Sequence, residues 1–222
     1  MGLEMSPDYS APPLPASLKA NLWGDVGVLW LAPSKKRNAF DDQTILGIET
    51  YFANIGRGIK AAVLTSEGES FSTGLEVSEL SKSGPSCGIE HWRLWRRAFD
   101  SIQFGKVPVV AVLHGAVVGG GLDLAAATHV RVAEHSVFYA LPEESLGNCL
   151  NSGAAARLTL LIGAARAMDM MLTGRTYSAE EGQAMGLSTY LVDKGKGLAK
   201  GLELAERIAI NANFPPTSSP RG

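Results

Sequence analysis

The chain has 222 residues, 45% of them hydrophobic, with 20 Lys+Arg against 22 Asp+Glu for a formal net charge of −2. That length supports one sizeable core and is short for two domains, and the balanced charge offers no electrostatic footprint for nucleic acid or an anionic membrane surface. Two cysteines, Cys87 and Cys149, exclude a disulfide framework and a cysteine-rich metal site, fit a reducing cytoplasmic setting, and accompany no apolar run of the roughly 20 residues a membrane span needs.

Residues 1–18 are rich in Pro and Ser, lack a basic-then-apolar signal layout and read as a loose arm. Val26, Val28 and Trp30 alternate as in a strand. In DDQTILGIETYFANI, Ile45, Ile48, Phe52 and Ile55 fall on one helical face, with Asp41 or Asp42 as N-cap. KAAVLTS (60–66) reads as a buried strand, and residues 69–84 as a Ser/Gly-rich loop entering a short helix. Trp92, Trp95, Phe99 and Ile102 recur at helical spacing, as core residues of which one could line a ligand pocket. PVVAVLHG is a strand ahead of three glycines, and a helix follows them. HVRVAE and VFYAL are short strands. GAAARLTLLIG and ARAMDMMLTG are helices closed by glycine. Ser178 with Glu181 forms a capping box, LSTYLVD is a strand, and GLAKGLELAERIAINA is a last amphipathic helix. Strands alternate with helices, which predicts an α/β fold with mostly parallel pairing. We divide the chain into the arm (1–18), a core (19–194) and a C-terminal helix and tail (195–222).

The stretch HGAVVGGGLDLAAA (114–127) carries the strongest chemical signal. Glycines at a strand-to-helix junction let backbone approach a ligand and leave N–H groups facing outward, as in an anion or oxyanion site. The dinucleotide fingerprint G-x-G-x-x-G fails, because Leu124 holds its sixth position, and no G-K-[ST] is present. Stabilisation of a developing enolate and a tight packing turn both remain open from these residues alone. His114 reads as a packed, hydrogen-bonded histidine, and His91 could enter a pocket from its helix. His129 and His135 lack metal-ligand spacing, so no metal is expected.

The longer stretch HGAVVGGGLDLAAATHVRVAEHSVFYALPEESLG resembles the signature of the crotonase (enoyl-CoA hydratase/isomerase) superfamily. KKRNAF (35–40), FSTGLEVSEL (71–80), KVPVVAVLHG and LTGRTYSAEEGQAMGLSTYLV (172–192) are similar to further family segments in the right order. The resemblance implies a crotonase-like (ClpP/crotonase) α/β spiral of repeated β-β-α units, a shortened C-terminal helical part, and a homotrimer or hexamer. It implies an acyl-CoA thioester enzyme, with a 2-enoyl-CoA hydratase as the main reading and coenzyme A entering as part of the substrate rather than as a cofactor. The N–H groups of Leu75 and Gly120 would form the oxyanion hole. Glu143 would be the general acid/base and Asp123 the carboxylate that orients water. Lys36, Arg37, Ala39, Thr73, Gly74 and Gly119 would bind the CoA ester.

Three positions depart from the family pattern. Asp123 stands where hydratases carry Glu, one methylene longer. Asn151 stands where dienoyl isomerases add a carboxylate. Ser78 stands where a CoA-phosphate lysine is common. Two alternatives follow: a double-bond isomerase working through Glu143 alone, and a catalytically weak acyl-CoA-binding homologue.

Overall fold

A computed structural model describes residues 12–32, 38–75, 85–142 and 153–212. Nine strands and seven helices are defined among them. The main sheet has the order β1-β2-β3-β4-β6-β9, formed by β1 (Leu18–Trp23), β2 (Val26–Leu31), β3 (Ala61–Ser66), β4 (Val109–Leu113), β6 (Val130–Glu134) and β9 (Tyr190–Val192). All neighbours are parallel except the β1–β2 hairpin. A smaller sheet, β5-β7-β8, joins β5 (Ala116–Val118), β7 (Phe138–Ala140) and β8 (Tyr177–Ser178).

The residue pattern does not predict β1. Leu18 and Leu22 are buried while the residues between them are partly or fully exposed, so LKANLW shows no clean alternation. The local signal is the Gly24–Asp25 loop between paired Trp23 and Val26, where Gly24 adopts φ +56°, as a two-residue hairpin turn requires.

The central strands are buried on both faces, and alternate residues divide between two cores. Ala62, Leu64, Val109, Ala111 and Leu113 face the larger core. That core also takes the apolar faces of α1 (Asp42–Ala53) and α2 (Pro85–Gln103). Ile45, Ile48 and Phe52 of α1 are buried as the spacing predicts, and Asp41 is the N-cap, accepting from the Thr44 N–H at 2.8 Å. Ala61, Val63, Val110 and Val112 face the second core with Leu204, Ala205 and Ala209 of α7 (Gly197–Ile210). Gly201 lets α7 lie against Val112, because a Cβ there would overlap that side chain. Helix α7 therefore covers one face of the sheet.

Helices α3 (Gly120–Ala126), α4 (Ala154–Ile162), α5 (Ala164–Thr173) and α6 (Ala179–Met185) complete the described structure. Gly163 and Gly174 close α4 and α5, and the Ser178/Glu181 capping box opens α6, both as the sequence predicts.

His129 precedes β6 and accepts the Val109 N–H on Nδ1 at 3.0 Å. Burial lowers its pKa from 6.5; a hydrogen bond to the Gln103 backbone opposes the shift, and the Arg131 charge adds to it. The unfolded chain thus binds this proton more readily than the folded one. Its contribution to stability is whole above pH 6.5 and is lost as pH falls from there toward the folded value. His129→Asn keeps an acceptor without the titration. It should flatten the fall of unfolding free energy as pH drops below 6.5, measured by urea denaturation; identical pH dependence in the two proteins would refute the assignment.

Candidate active site

The site is assembled where β3 and β4 end. Beyond β3 the chain returns along β5: the Ser72 N–H donates to the Ala116 carbonyl and the Val118 N–H to the Ser72 carbonyl, each at 3.0 Å. Ser72 Oγ donates to the Asn38 carbonyl at 2.7 Å and accepts the Gly74 N–H at 3.0 Å. The Phe40 N–H donates to the Gly74 carbonyl at 2.7 Å. These bonds fix residues 72–75 from both sides. Among the described residues, no backbone carbonyl accepts from the N–H of Leu75 or Gly120.

The two segments expected to form the oxyanion hole touch each other. A Cβ on Gly74 would lie 2.8 Å from both the Gly120 nitrogen and the Val118 oxygen, and Gly74 itself holds φ +84°. Each of the three consecutive glycines has its own reason. Gly119 adopts φ +56° and donates its N–H to the Ala140 carbonyl at 3.0 Å. Gly120 rests on the Trp95 ring, with no room for a Cβ, and a Cβ on Gly121 would come 2.7 Å from the Ser72 carbonyl oxygen. The tight packing turn is thus present, and the same three glycines bring residues 118–120 against residues 73–75.

Asp123 is fully buried on α3. Its Oδ1 lies 2.9 Å from Nη1 of Arg157, which is 5% exposed. Arg157 also donates through Nη2 to Asp100 Oδ1 at 2.6 Å and through Nε to Gln103 Oε1 at 2.9 Å. Gly153, at φ +108°, leaves space for this guanidinium: a Cβ there would lie 2.6 Å from Nη1. Ala39 and Thr73 are half-buried beside the loop. Glu143, Lys36 and Arg37 lie outside the described residues, as do Ser78 and Asn151. Pro142 is the last described residue after β7, whose Ala140 pairs with Val118.

The sequence matches the enoyl-CoA hydratase/isomerase family over residues 24–214. The chain belongs to that family. It is 27% identical to the short-chain-enoyl-CoA hydratase of Clostridium acetobutylicum over 85% of this chain and 74% of that one. It is 30% identical to an enoyl-CoA isomerase/hydratase of Zymoseptoria tritici over 88% of this chain and 68% of that one. It spans a smaller share, 24%, of the peroxisomal fatty acid beta-oxidation multifunctional protein of Arabidopsis thaliana. A provisionally named enoyl-CoA hydratase of Rhodopseudomonas palustris superposes with a TM-score of 0.85 at 44% identity, covering 93% of this chain and 80% of that one. The fold is the crotonase fold of these hydratase structures.

Three residues of this family member are not singled out by the sequence pattern. Asn38 sits at φ +57°, and its Nδ2 donates to the Glu67 and Ser70 carbonyls at 3.0 and 2.9 Å, tying residues 38–40 to the loop. Asn tolerates that conformation better than most residues, which is the signal its identity carries. Ser72 carries its loop through the bonds above. Arg157 is a lone cation in the apolar run AAARLTLL; a cation in such a setting calls for a buried carboxylate. His91 is buried, with Nδ1 2.6 Å from Asp42 Oδ1 and its ring against Trp92 and Trp95. His114 is half-buried, with Nε2 3.2 Å from the Gly68 carbonyl, as a packed histidine should be.

Proposed function

We propose that this chain is a 2-enoyl-CoA hydratase. The observation that carries the reading is the contact of residues 73–75 with 118–120 through Gly74, beside a buried carboxylate on the helix those glycines open. In the proposed reaction the thioester oxygen accepts from the Leu75 and Gly120 N–H groups. Attack of water on C3 drives the C2=C3 electron pair toward that oxygen, and the fixed donors stabilise the enolate as it forms. Glu143 takes a proton from the water and returns one to C2, which restores the thioester and the carboxylate. Asp123 accepts a hydrogen bond from the same water.

Gly119, Gly74, Thr73 and Ala39 would border the ester, with Lys36 and Arg37 toward the CoA phosphates. Coenzyme A would enter with the substrate, and neither a metal nor a separate cofactor has a part in the scheme. The homotrimer or hexamer and the cytoplasmic location implied by the resemblance go with this reading. The exposed Leu160, Met168 and Leu172 on α4 and α5 offer an apolar face for such assembly.

A second reading, isomerisation through Glu143 alone, draws on the commitment of Asp123 to Arg157. Loss of the conjugated thioester absorbance of crotonyl-CoA, with micromolar protein, tests the first reading directly; a clear rate is expected. Glu143→Gln should lower that rate by about 10²–10⁴-fold while CoA-ester binding survives. Wild-type turnover in that variant would remove Glu143 from the mechanism. No hydration alongside conversion of a 3-enoyl-CoA would favour isomerisation.

A further inference from the structure

We infer that Trp95 is a positioning residue for the oxyanion hole, its indole setting the spacing between the Leu75 and Gly120 N–H groups. The inference rests on the reading of those two groups as donors to the thioester oxygen, and it holds whichever group moves the proton.

The two donors come from distant parts of the chain, and Trp95 touches the support of both. On one side the six-membered ring of the indole lies against Gly120, where a Cβ would stand 2.4 Å from Cζ3 and 3.0 Å from Cη2. On the other side the indole packs against Phe40, with ring centroids 5.9 Å apart and planes at 65°. Phe40 carries the other donor segment. Its N–H donates to the Gly74 carbonyl at 2.7 Å, and it forms a parallel bridge with Leu75. The indole therefore stands between Gly120 and the backbone that holds Leu75. Oxyanion donors must lie about 2.7–3.1 Å from the developing charge, so a small change in their separation costs one of the two bonds.

The indole is fixed in its turn. It is 1% exposed, and the rings of Trp92, Phe99 and His91 close around it at centroid distances of 5.9, 5.8 and 5.3 Å. Its Nε1–H donates to Asp42 Oδ1 at 3.3 Å, and the same oxygen lies 2.6 Å from His91 Nδ1, one helical turn earlier on α2. Asp42 opens α1 two residues after Phe40, so the anchor of the indole and the carrier of Leu75 belong to one segment. A bicyclic ring has no internal rotation. Tied at Nε1 and seated on Gly120 at its far edge, it is a spacer of fixed length. The aromatic positions of α2 read from sequence as core, with one of them free to border a ligand; Trp95 is core and also the floor beneath Gly120.

Trp95→Phe shortens the ring, removes Nε1 and opens a gap under Gly120. With crotonyl-CoA, kcat should fall about 10-fold or more while KM stays within about 2-fold. A 3-aryl-2-propenoyl-CoA supplies a second readout, because its absorbance moves to longer wavelength as its carbonyl is polarised. At saturating ester, the red shift should be smaller in Trp95→Phe than in the wild type. Phe52→Leu, a loss of buried packing at the other end of α1, is the control: it should lower Tm and keep both the red shift and kcat. Wild-type kcat and red shift in Trp95→Phe overturn the inference, as does an equal loss of both in Phe52→Leu. If Trp95→Phe does not fold, Asp42→Ala, which unties the indole, is read by the same criteria. A wild-type chain that red-shifts the aryl ester without hydrating crotonyl-CoA overturns the hydratase reading alone, and the red shift of the variants then decides this inference. A wild-type chain that does neither overturns both.

Discussion

Gly74→Ala is expected to lower kcat/KM for 2-enoyl-CoA hydration by about 10²–10³-fold, the loss associated with one oxyanion donor. The added methyl would stand 2.8 Å from the Gly120 nitrogen and 2.8 Å from the Val118 oxygen. Both are backbone atoms, so no side chain can turn away to admit it. Gly74 also holds φ +84°, where an L side chain costs about 1–2 kcal/mol. The loop can relax only by moving residues 73–75 off residues 118–120, which would separate the two N–H groups that share the thioester oxygen in the proposed reaction. Activity should therefore fall further than stability. Steady-state rates with crotonyl-CoA, alongside a thermal melt of the same preparation, check this. A Gly74→Ala protein with wild-type kcat/KM would remove residues 73–75 from the oxyanion site.

Arg157→Leu is expected to destabilise the fold by about 3–5 kcal/mol, a large fraction of the total stability of an ordinary domain. It leaves Asp123 fully buried without its guanidinium, and Asp100 and Gln103 lose the same donor. For a chain of this size the Tm should drop by roughly 10 °C. The double variant Asp123→Leu/Arg157→Leu removes both charges and should recover part of the loss, because an apolar pair leaves no unpaired ion. Urea denaturation of the three proteins measures the terms. Equal stability of the single variant and the wild type would show that the ion pair contributes nothing to the fold.

Most local structure is legible in the residues. The face of α1 and its Asp41 cap, the buried face of α2, the glycines that close α4 and α5 and the box that opens α6 all follow from short-range rules. The hairpin strand β1 is not legible from its own pattern, because at the edge of the sheet the consecutive residues Lys19, Ala20 and Asn21 are all exposed or half-buried. The partner of Asp123 is not legible either. Arg157 lies 34 residues from Asp123 and 57 from Asp100, and no spacing rule connects residues on three helices.

The residues alone carry the family resemblance, the α/β alternation, and the place along the chain where two backbone segments can come into direct contact. Three adjacent glycines after a buried strand restrict the possibilities that far, because only glycine admits such backbone. Only the packing of distant segments explains each glycine and the ion pair of Asp123. Gly119 turns the chain, Gly120 yields to Trp95, Gly121 yields to Ser72, and Gly74 meets Gly120 across the loop. Asp123 is held by a guanidinium anchored to α2. These are contacts between segments far apart in the chain. Close packing and directed hydrogen bonds select them only once the sheet has brought the segments together.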